Sequence, residues 1–206
     1  MSERRALICD FGGVLTSPLL EAIGAYQSRS GVTFEEIGHA MARIAEEDGG
    51  HPLFELEKGR LTEADFISRI EQELGKPLGG LSSYFAGLRR NEPMIDYVRE
   101  VRERGVRTAL LTNNVREWRD GWRAKLPELD ELFEVVVDSS EVGMRKPEPE
   151  IYELTLKRLG EGVDATGCVF VDDTDVNCEA ARELGMRAVL FESSEQAIAE
   201  LEGLLS

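Results

Sequence analysis

Five short apolar runs divide the chain and predict β-strands. They lie at residues 6–9, 108–111, 135–137, 168–171 and 188–191. The segments between the last four runs have helical periodicity, as in PEIYELTLKRLG and DVNCEAARELGM and, less regularly, VREWRDGWRAKL. Near-continuous apolar strands that alternate with helices are typical of a parallel sheet covered on both faces. The pattern therefore predicts an α/β fold with a doubly wound, Rossmann-like parallel sheet.

The chain between the first and second runs carries only helical signals. The segment TFEEIGHAMARIAEE opens with a capping box of Thr33 and Glu36, and LTEADFISRIEQELG opens in a similar way and stops at a glycine. Because a connection between a strand and a helix is normally a few residues long, this long segment predicts an inserted helical cap subdomain. We therefore expect an α/β core of residues 1–15 and 92–206 and a helical cap of residues 16–91.

Composition narrows the range of partners. The 206 residues suit one core domain with an insertion, and the hydrophobic fraction of 42% can supply a sizeable core. With 40 acidic and 24 basic residues, the formal net charge is −16. Such a surface repels nucleic-acid phosphates and anionic lipid, so neither nucleic acid nor a membrane surface is an expected partner. A monomer or a homodimer is compatible with these features.

Two further features indicate a cytoplasmic protein. No apolar stretch approaches the roughly 18 residues that a membrane span needs, and the apolar run near the N-terminus is too short for a signal peptide. The three cysteines, Cys9, Cys168 and Cys178, are an odd number without C-x-x-C spacing. We interpret them as buried structural residues rather than as disulfide partners, metal ligands or nucleophiles.

Polar residues follow four of the predicted strands. They are Asp10, the Thr112-Asn113-Asn114 group, Asp138 with Ser139 and Ser140, and the Asp172-Asp173 pair, with Lys146 in the loop after the third strand. Taken alone, each group has an ordinary explanation as a turn, a helix cap or a solvated side chain. Because ligands bind beyond the carboxyl ends of parallel strands, their joint occurrence predicts one site. Several carboxylates held close together repel one another, so we expect a hard cation such as Mg²⁺ among them.

The segments that carry these residues show a family resemblance. DFGGVLT, LLTNN, GMRKPEPEIY and VFVDDTDVNCEAARELGM resemble, in order and spacing, the four motifs of the haloacid dehalogenase-like hydrolase superfamily. The helical insertion resembles the α-helical cap of that superfamily. The stretch ELEKGRLTEADF resembles the caps of a subgroup that includes bacterial sugar-1-phosphate phosphatases. The resemblance implies a hydrolase that acts on a small phosphorylated metabolite, for which a sugar 1-phosphate is one candidate.

The resemblance also implies roles for the acidic residues. Asp10 is the expected nucleophile, which attacks phosphorus to give an aspartyl-phosphate; a carboxylate suits this role because it needs no deprotonation at neutral pH. Mg²⁺ is the expected cofactor, held by Asp10, the carbonyl oxygen of Gly12 and Asp173. Asp172 is expected either to contact the ion directly or to support its ligands. Asn177 is expected to orient a metal-bound water.

The remaining motifs imply a binding site for the phosphoryl group. Gly12 and Gly13 let backbone N–H groups approach its oxygens, because neither residue carries a side chain. The Thr112 hydroxyl and the backbone N–H of the neighbouring Asn113 are expected to donate hydrogen bonds to these oxygens. Lys146 neutralises charge on the nucleophile and on the group in transfer, which favours the transition state electrostatically.

The chain departs from the superfamily pattern at Gly12. Most phosphatases of the superfamily carry an aspartate there, which serves as general acid and then general base. Three explanations stay open. The substrate has a leaving group that needs little protonation, a residue of the cap replaces the missing acid and base, or the protein binds phosphate and metal with negligible turnover. The titratable cap candidates are His39, His51, Glu55 and Glu57.

We therefore expect a Mg²⁺-dependent phosphatase. The alternatives are a 2-haloacid dehalogenase, for which Asp10, Thr112 and Lys146 would also suit halide displacement, and a ligand-binding or scaffolding protein that retains the fold. The paired Asp172 and Asp173 count against a dehalogenase, because a metal-free site would be strongly anionic.

Overall fold

The computed structural model describes residues 5–18, 31–78 and 87–205. Its described part contains one five-stranded sheet with the strand order β3-β2-β1-β4-β5, in which all neighbours are parallel. The strands are β1 (Ala6–Cys9), β2 (Arg107–Thr112), β3 (Val135–Asp138), β4 (Cys168–Asp172) and β5 (Arg187–Leu190). The predicted Rossmann-like α/β fold is confirmed, and all five strands lie where the apolar runs predict them.

Ten α-helices occur in the described ranges. They are α1 (Phe34–Asp48), α2 (Pro52–Glu57), α3 (Glu63–Leu74), α4 (Glu92–Glu103), α5 (Arg119–Arg123), α6 (Leu129–Leu132), α7 (Ser139–Val142), α8 (Pro149–Leu159), α9 (Asp175–Glu183) and α10 (Ser194–Leu205). The segment VREWRDGWRAKL contains a 3₁₀ turn followed by the short helix α5 rather than one regular helix. No helix within these ranges is long and apolar enough to cross a membrane.

The sheet is covered on both faces, which explains why its strands are almost continuously apolar. In β1, Leu7 and Cys9 belong to a core that includes residues of α4 and α10, whereas Ala6 and Ile8 belong to a second core that includes residues of α8 and α9. Alternate strand residues point to opposite faces, so a strand between two helix layers needs apolar side chains at every position. The three cysteines are free and buried, in agreement with their structural interpretation.

The helices that follow β1 build a separate core. We call α1, α2 and α3 the insertion helices; their buried residues Ala40, Leu56 and Ile70 pack together with Val115 of the α/β part. The predicted capping box at the start of α1 is present, with the Thr33 hydroxyl accepting from the backbone N–H three residues later. The predicted cap limits, residues 16–91, stay a prediction, since residues 19–30 and 79–86 lie outside the described residues.

Candidate active site

The sheet topology brings three of the predicted site residues to one edge. Asp10 directly follows β1, Thr112 ends β2 and Asp172 ends β4, and β1 lies between the other two strands. The backbone N–H of Asp10 donates to the Val171 carbonyl oxygen at 3.0 Å, which continues the ladder one residue beyond β1. The chain reverses its winding direction between β1 and β4, and α/β proteins bind their ligands at such a switch point.

Lys146 joins two of the acidic residues. It lies in the loop between α7 and α8, and its Nζ is 2.7 Å from Asp10 Oδ1 and 2.6 Å from Asp172 Oδ2. Only 1% of Lys146 is exposed, so this ammonium is a buried charge shared by two carboxylates. Although burial alone lowers the pKa of Lys146, the two carboxylates raise it above its usual value. Lys146 therefore stays protonated at neutral pH.

Burial dominates the electrostatics of Asp10. It raises the pKa of the Asp10 carboxyl above its usual range, while Lys146 opposes this shift and Asp172 adds to it. A fixed cation beside a buried carboxylate favours its charged form. Burial and Asp172 outweigh Lys146, and the pKa of Asp10 rises to about 7, so further positive charge at the site would favour the anionic form.

Asp172 has both carboxylate oxygens in hydrogen bonds. Oδ1 accepts from the Thr174 backbone N–H at 2.8 Å and from Asn177 Nδ2 at 3.0 Å, while Oδ2 accepts from Lys146. Asn177 lies on α9, and its backbone carbonyl oxygen accepts a hydrogen bond from the Tyr152 hydroxyl at 2.9 Å. This fully buried aspartate therefore orients Lys146 and Asn177.

Asp173 lies against Gly13 at the edge of the cluster. A Cβ on Gly13 would stand 2.0 Å from Asp173 Oδ2, and the φ angle of Gly13 is +81°. Glycine is required there for both reasons, in addition to the backbone access predicted from the sequence. Burial raises the pKa of Asp173, and the neighbouring Asp172 adds to the rise.

The residues of this cluster fit a hard cation. Asp10, Asp172 and Asp173 each offer a carboxylate oxygen, and these oxygens lie within 4.8 Å of one another. The cluster combines three carboxyl groups with one ammonium, that of Lys146, so a further cation would favour the ionised form of all three. Oxygen ligands in such an arrangement are those that Mg²⁺ prefers.

Asn113 has a role that its sequence position does not reveal. Its Nδ2 donates to the Lys146 carbonyl oxygen at 3.0 Å, and its Oδ1 accepts from the Lys146 backbone N–H at 2.8 Å. The sequence predicts only a backbone contribution from Asn113. The structure adds a pair of side-chain hydrogen bonds that orient the backbone of the buried lysine.

A cavity of about 450 Å³ opens beside this cluster. The predicted site residues that line it are Asp10, Gly12, Thr112, Asn113, Lys146, Asp173 and Asn177. Gly13 and Asp172 do not line the cavity; they contact Asp173 and Lys146 instead. The structure thus brings all the predicted site residues together, with two of them behind the cavity wall.

The insertion helix α2 supplies a second part of the cavity wall. Phe54 and Glu57 of α2 line it together with Arg145 and Val176 of the α/β part. Arg145 Nε donates to Glu57 Oε2 at 2.6 Å, and its guanidinium lies 4.0 Å from the centre of the Phe54 ring. Burial raises the pKa of Glu57, although Arg145 opposes the shift. Of the four titratable cap candidates, Glu57 is the one that lines this cavity.

The Rossmann-like sheet and the carboxylate–lysine cluster at its edge define the class of protein: an α/β protein with a candidate site at the switch point. Comparison with known proteins identifies the family. The chain belongs to the haloacid dehalogenase-like hydrolases, whose family model matches residues 4–185. The proposed subgroup of sugar-1-phosphate phosphatases stays a prediction.

Two named relatives illustrate the range of this similarity. Acyl-CoA dehydrogenase family member 10 of Mus musculus is 33% identical over 98% of this chain, which corresponds to 19% of that protein. Sesquiterpene phosphatase astK of Aspergillus oryzae is 26% identical over 98% of this chain and 96% of its own length. The chain spans 19–30% of the length of the first curated relatives it matches.

A solved structure shows a similar architecture. It is a haloacid dehalogenase-family enzyme from Bacteroides thetaiotaomicron, described as the wild-type protein in complex with magnesium and inorganic phosphate. It is 26% identical, has a TM-score of 0.65 and covers 90% of this chain and 93% of its own. A predicted hydrolase of this type from Porphyromonas gingivalis, 23% identical with a TM-score of 0.73, shares the fold over 98% of both chains.

Proposed function

We propose that this protein is a Mg²⁺-dependent phosphatase that hydrolyses a small phosphate monoester through an aspartyl-phosphate on Asp10. The observation that carries the proposal is the placement of Asp10: a buried carboxylate at a strand end, paired with Lys146 and close to Asp172 and Asp173. A magnesium and phosphate complex of the Bacteroides relative and the phosphatase name of the Aspergillus relative support the same chemistry.

Each side chain has a defined part in the proposed reaction. Asp10 attacks phosphorus, a bond forms between the two, and the ester P–O bond breaks; water then releases phosphate and restores Asp10. Lys146 stays charged and offsets negative charge on Asp10 and on the phosphoryl oxygens. The Thr112 hydroxyl and the backbone N–H of Asn113 bind those oxygens.

Asp10, the Gly12 carbonyl oxygen and Asp173 would hold the Mg²⁺, while Asp172 positions Lys146 and Asn177 behind them. The bound ion supplies positive charge that lets an anionic carboxylate approach an anionic phosphate. The hydrogen bonds of Asp172 with Lys146, Thr174 and Asn177 fix its carboxylate beside this site.

The residues that line the cavity indicate which class of substrate it suits. Phe54 and Val176 line the cavity and are 40% and 50% exposed, so apolar surface is available to the leaving group. This surface favours a phosphate ester with an apolar face, such as a prenyl or alkyl phosphate, in line with the sesquiterpene phosphatase relative. A sugar 1-phosphate, implied by the cap resemblance, is the comparison substrate.

The test is a panel of sugar, alkyl, prenyl and aryl phosphates, each assayed with Mg²⁺ and with EDTA. We expect Mg²⁺-dependent release of phosphate, and a fall of at least about 10⁴-fold in kcat for Asp10→Asn because the nucleophile is lost. The melting temperature of the variant serves as a control for folding.

Two results would contradict the proposal. Halide release from a 2-haloacid in the presence of EDTA would identify a dehalogenase. Ligand-dependent thermal stabilisation without hydrolysis of any ester would identify a binding protein.

A further inference from the structure

The proposed reaction needs a proton donor that the cluster around Asp10 does not provide. When the P–O bond breaks, an alkoxide leaves with a pair of electrons and needs a proton unless it is already a stable anion. Gly12 has no side chain to supply one. For a leaving group of this kind, a protein donor would be another group on the cavity wall.

The described ionisable residues that line the cavity are Asp10, Asp173, Lys146, Arg145 and Glu57. Asp10 is the nucleophile, and Asp173 belongs to the proposed metal site. The Lys146 ammonium is buried between the carboxylates of Asp10 and Asp172, which hold it beside the nucleophile. Arg145 does not lose its proton in proteins. Glu57 is the remaining group that can both give and accept a proton.

The surroundings of Glu57 suit this role. Burial raises its pKa, whereas the two charged groups that face it, Arg145 and Lys146, lower it. Within the described part of the chain, the hydrogen bond to its carboxylate comes from Arg145 Nε, which contacts Oε2. The second oxygen, Oε1, is not held by that bond.

The backbone around Glu57 is held against the loop that leads to Lys146. Glu57 is the last residue of α2, and its carbonyl oxygen accepts from the Ser139 hydroxyl at 2.6 Å. The next residue, Lys58, forms an ion pair with Glu148, which follows Lys146 by two positions. At Gly59 a Cβ would stand 2.4 Å from the Ser140 carbonyl oxygen, so the two segments approach closely. Residues on both sides of Lys146 therefore constrain where Glu57 lies.

Resting on the proposed function, we propose that Glu57 is the general acid and base that replaces the group missing at Gly12. In the first step Asp10 bonds to phosphorus, the ester P–O bond breaks, and the Glu57 carboxyl proton passes to the leaving oxygen, directly or through one water. In the second step the Glu57 carboxylate takes a proton from the water that attacks phosphorus, the bond between phosphorus and the Asp10 oxygen breaks, and phosphate leaves with both residues restored.

The test compares Glu57→Gln with wild type on an alkyl phosphate and on an activated aryl phosphate. Glutamine keeps an oxygen that can accept from Arg145 but has no acidic proton. We expect kcat/KM for the alkyl phosphate to fall about 10²-fold or more, and kcat/KM for the aryl phosphate to change by no more than a few fold, because a phenolate leaves without protonation.

A second readout follows the intermediate. Without a base, breakdown of the aspartyl-phosphate slows, so the variant should release a burst of phenol equal to the enzyme concentration. Intact-mass measurement of the quenched reaction should then show the phosphorylated chain.

Two control variants separate the acid role from a role in packing. Glu55→Gln alters a neighbouring carboxylate of α2 that does not line the cavity, and we expect wild-type kinetics. Arg145→Met removes the hydrogen bond to Glu57 but leaves a carboxyl group that can donate a proton, so we expect the alkyl phosphate to lose less kcat/KM than with Glu57→Gln.

An equal fall of kcat/KM on both substrates for Glu57→Gln, or no fall on the alkyl phosphate, would overturn the inference and leave the proposed function intact. Failure of the wild-type protein to hydrolyse either ester with Mg²⁺ would overturn both.

Discussion

The two walls of the cavity differ in how firmly their charged groups are held. On the α/β side, Lys146 is almost fully buried and bonded to two carboxylates, and both oxygens of Asp172 accept hydrogen bonds. On the side of the insertion helices, the Glu57 carboxylate has one hydrogen bond from a described residue, that from Arg145, and Phe54 is 40% exposed. The α/β wall is thus organised before substrate binds, which favours the transition state. The insertion wall is suited to contact the leaving group.

Substitution of Lys146 tests the α/β wall and has the largest expected effect. Lys146→Met leaves Asp10 and Asp172 buried without their shared cation, so we expect the free energy of unfolding to fall by about 3–5 kcal/mol. Urea denaturation in the presence of EDTA measures the change. Lys76→Met is a matched control, since Lys76 pairs with Glu36 at the surface and such pairs contribute about 0–1 kcal/mol. Equal losses for the two variants would show that the buried cluster is not specially dependent on its lysine.

A second prediction concerns a variant in which a carboxyl group at position 12 replaces that of Glu57. In the Glu57→Gln background, Gly12→Asp should raise kcat/KM for an alkyl phosphate by about 10–10²-fold, because a carboxyl group again lies near the leaving oxygen. The φ angle at Gly12 is not in the positive range, so an L-residue can adopt the backbone conformation. Steady-state kinetics with alkyl and aryl esters measure the effect. An equal gain on both esters would contradict an acid role for the new carboxyl group.

Substitution of Phe54 tests the insertion wall and has the smallest expected effect. Phe54→Ala removes apolar surface from the cavity, so we expect a loss of about 1 kcal/mol, or roughly fivefold in kcat/KM, for esters with an apolar leaving group. Hydrolysis of a sugar phosphate should change less. A comparison of kcat/KM for the two ester types measures this. A uniform loss on all esters would assign Phe54 to the support of Arg145 instead.

The sequence predicted the strands of the α/β part better than the contacts that its loops make. The strands follow from apolar runs and the first-turn cap of α1 from local spacing, both of which depend on near neighbours in the chain. The placement of Asp10, Thr112 and Asp172 at one edge follows in turn, because parallel strands end on the same side. The short helix α2 was not predicted; its six residues, with Pro52 at the first position, carry too little periodicity.

The amino-acid sequence by itself determined the fold class, the family and the set of polar residues at the strand ends, because these depend on local periodicity and on motif order. Only the tertiary structure decided how those residues are paired. Lys146 contacts Asp172, 26 positions away, and Arg145 contacts Glu57, 88 positions away. The Lys146–Asp172 pair forms within the α/β part, where the loop after α7 meets the end of β4, whereas the Arg145–Glu57 pair depends on the packing of α2 against that loop. The packing of α2 also decides that Glu57 lines the cavity, whereas the other three titratable candidates of the insertion do not.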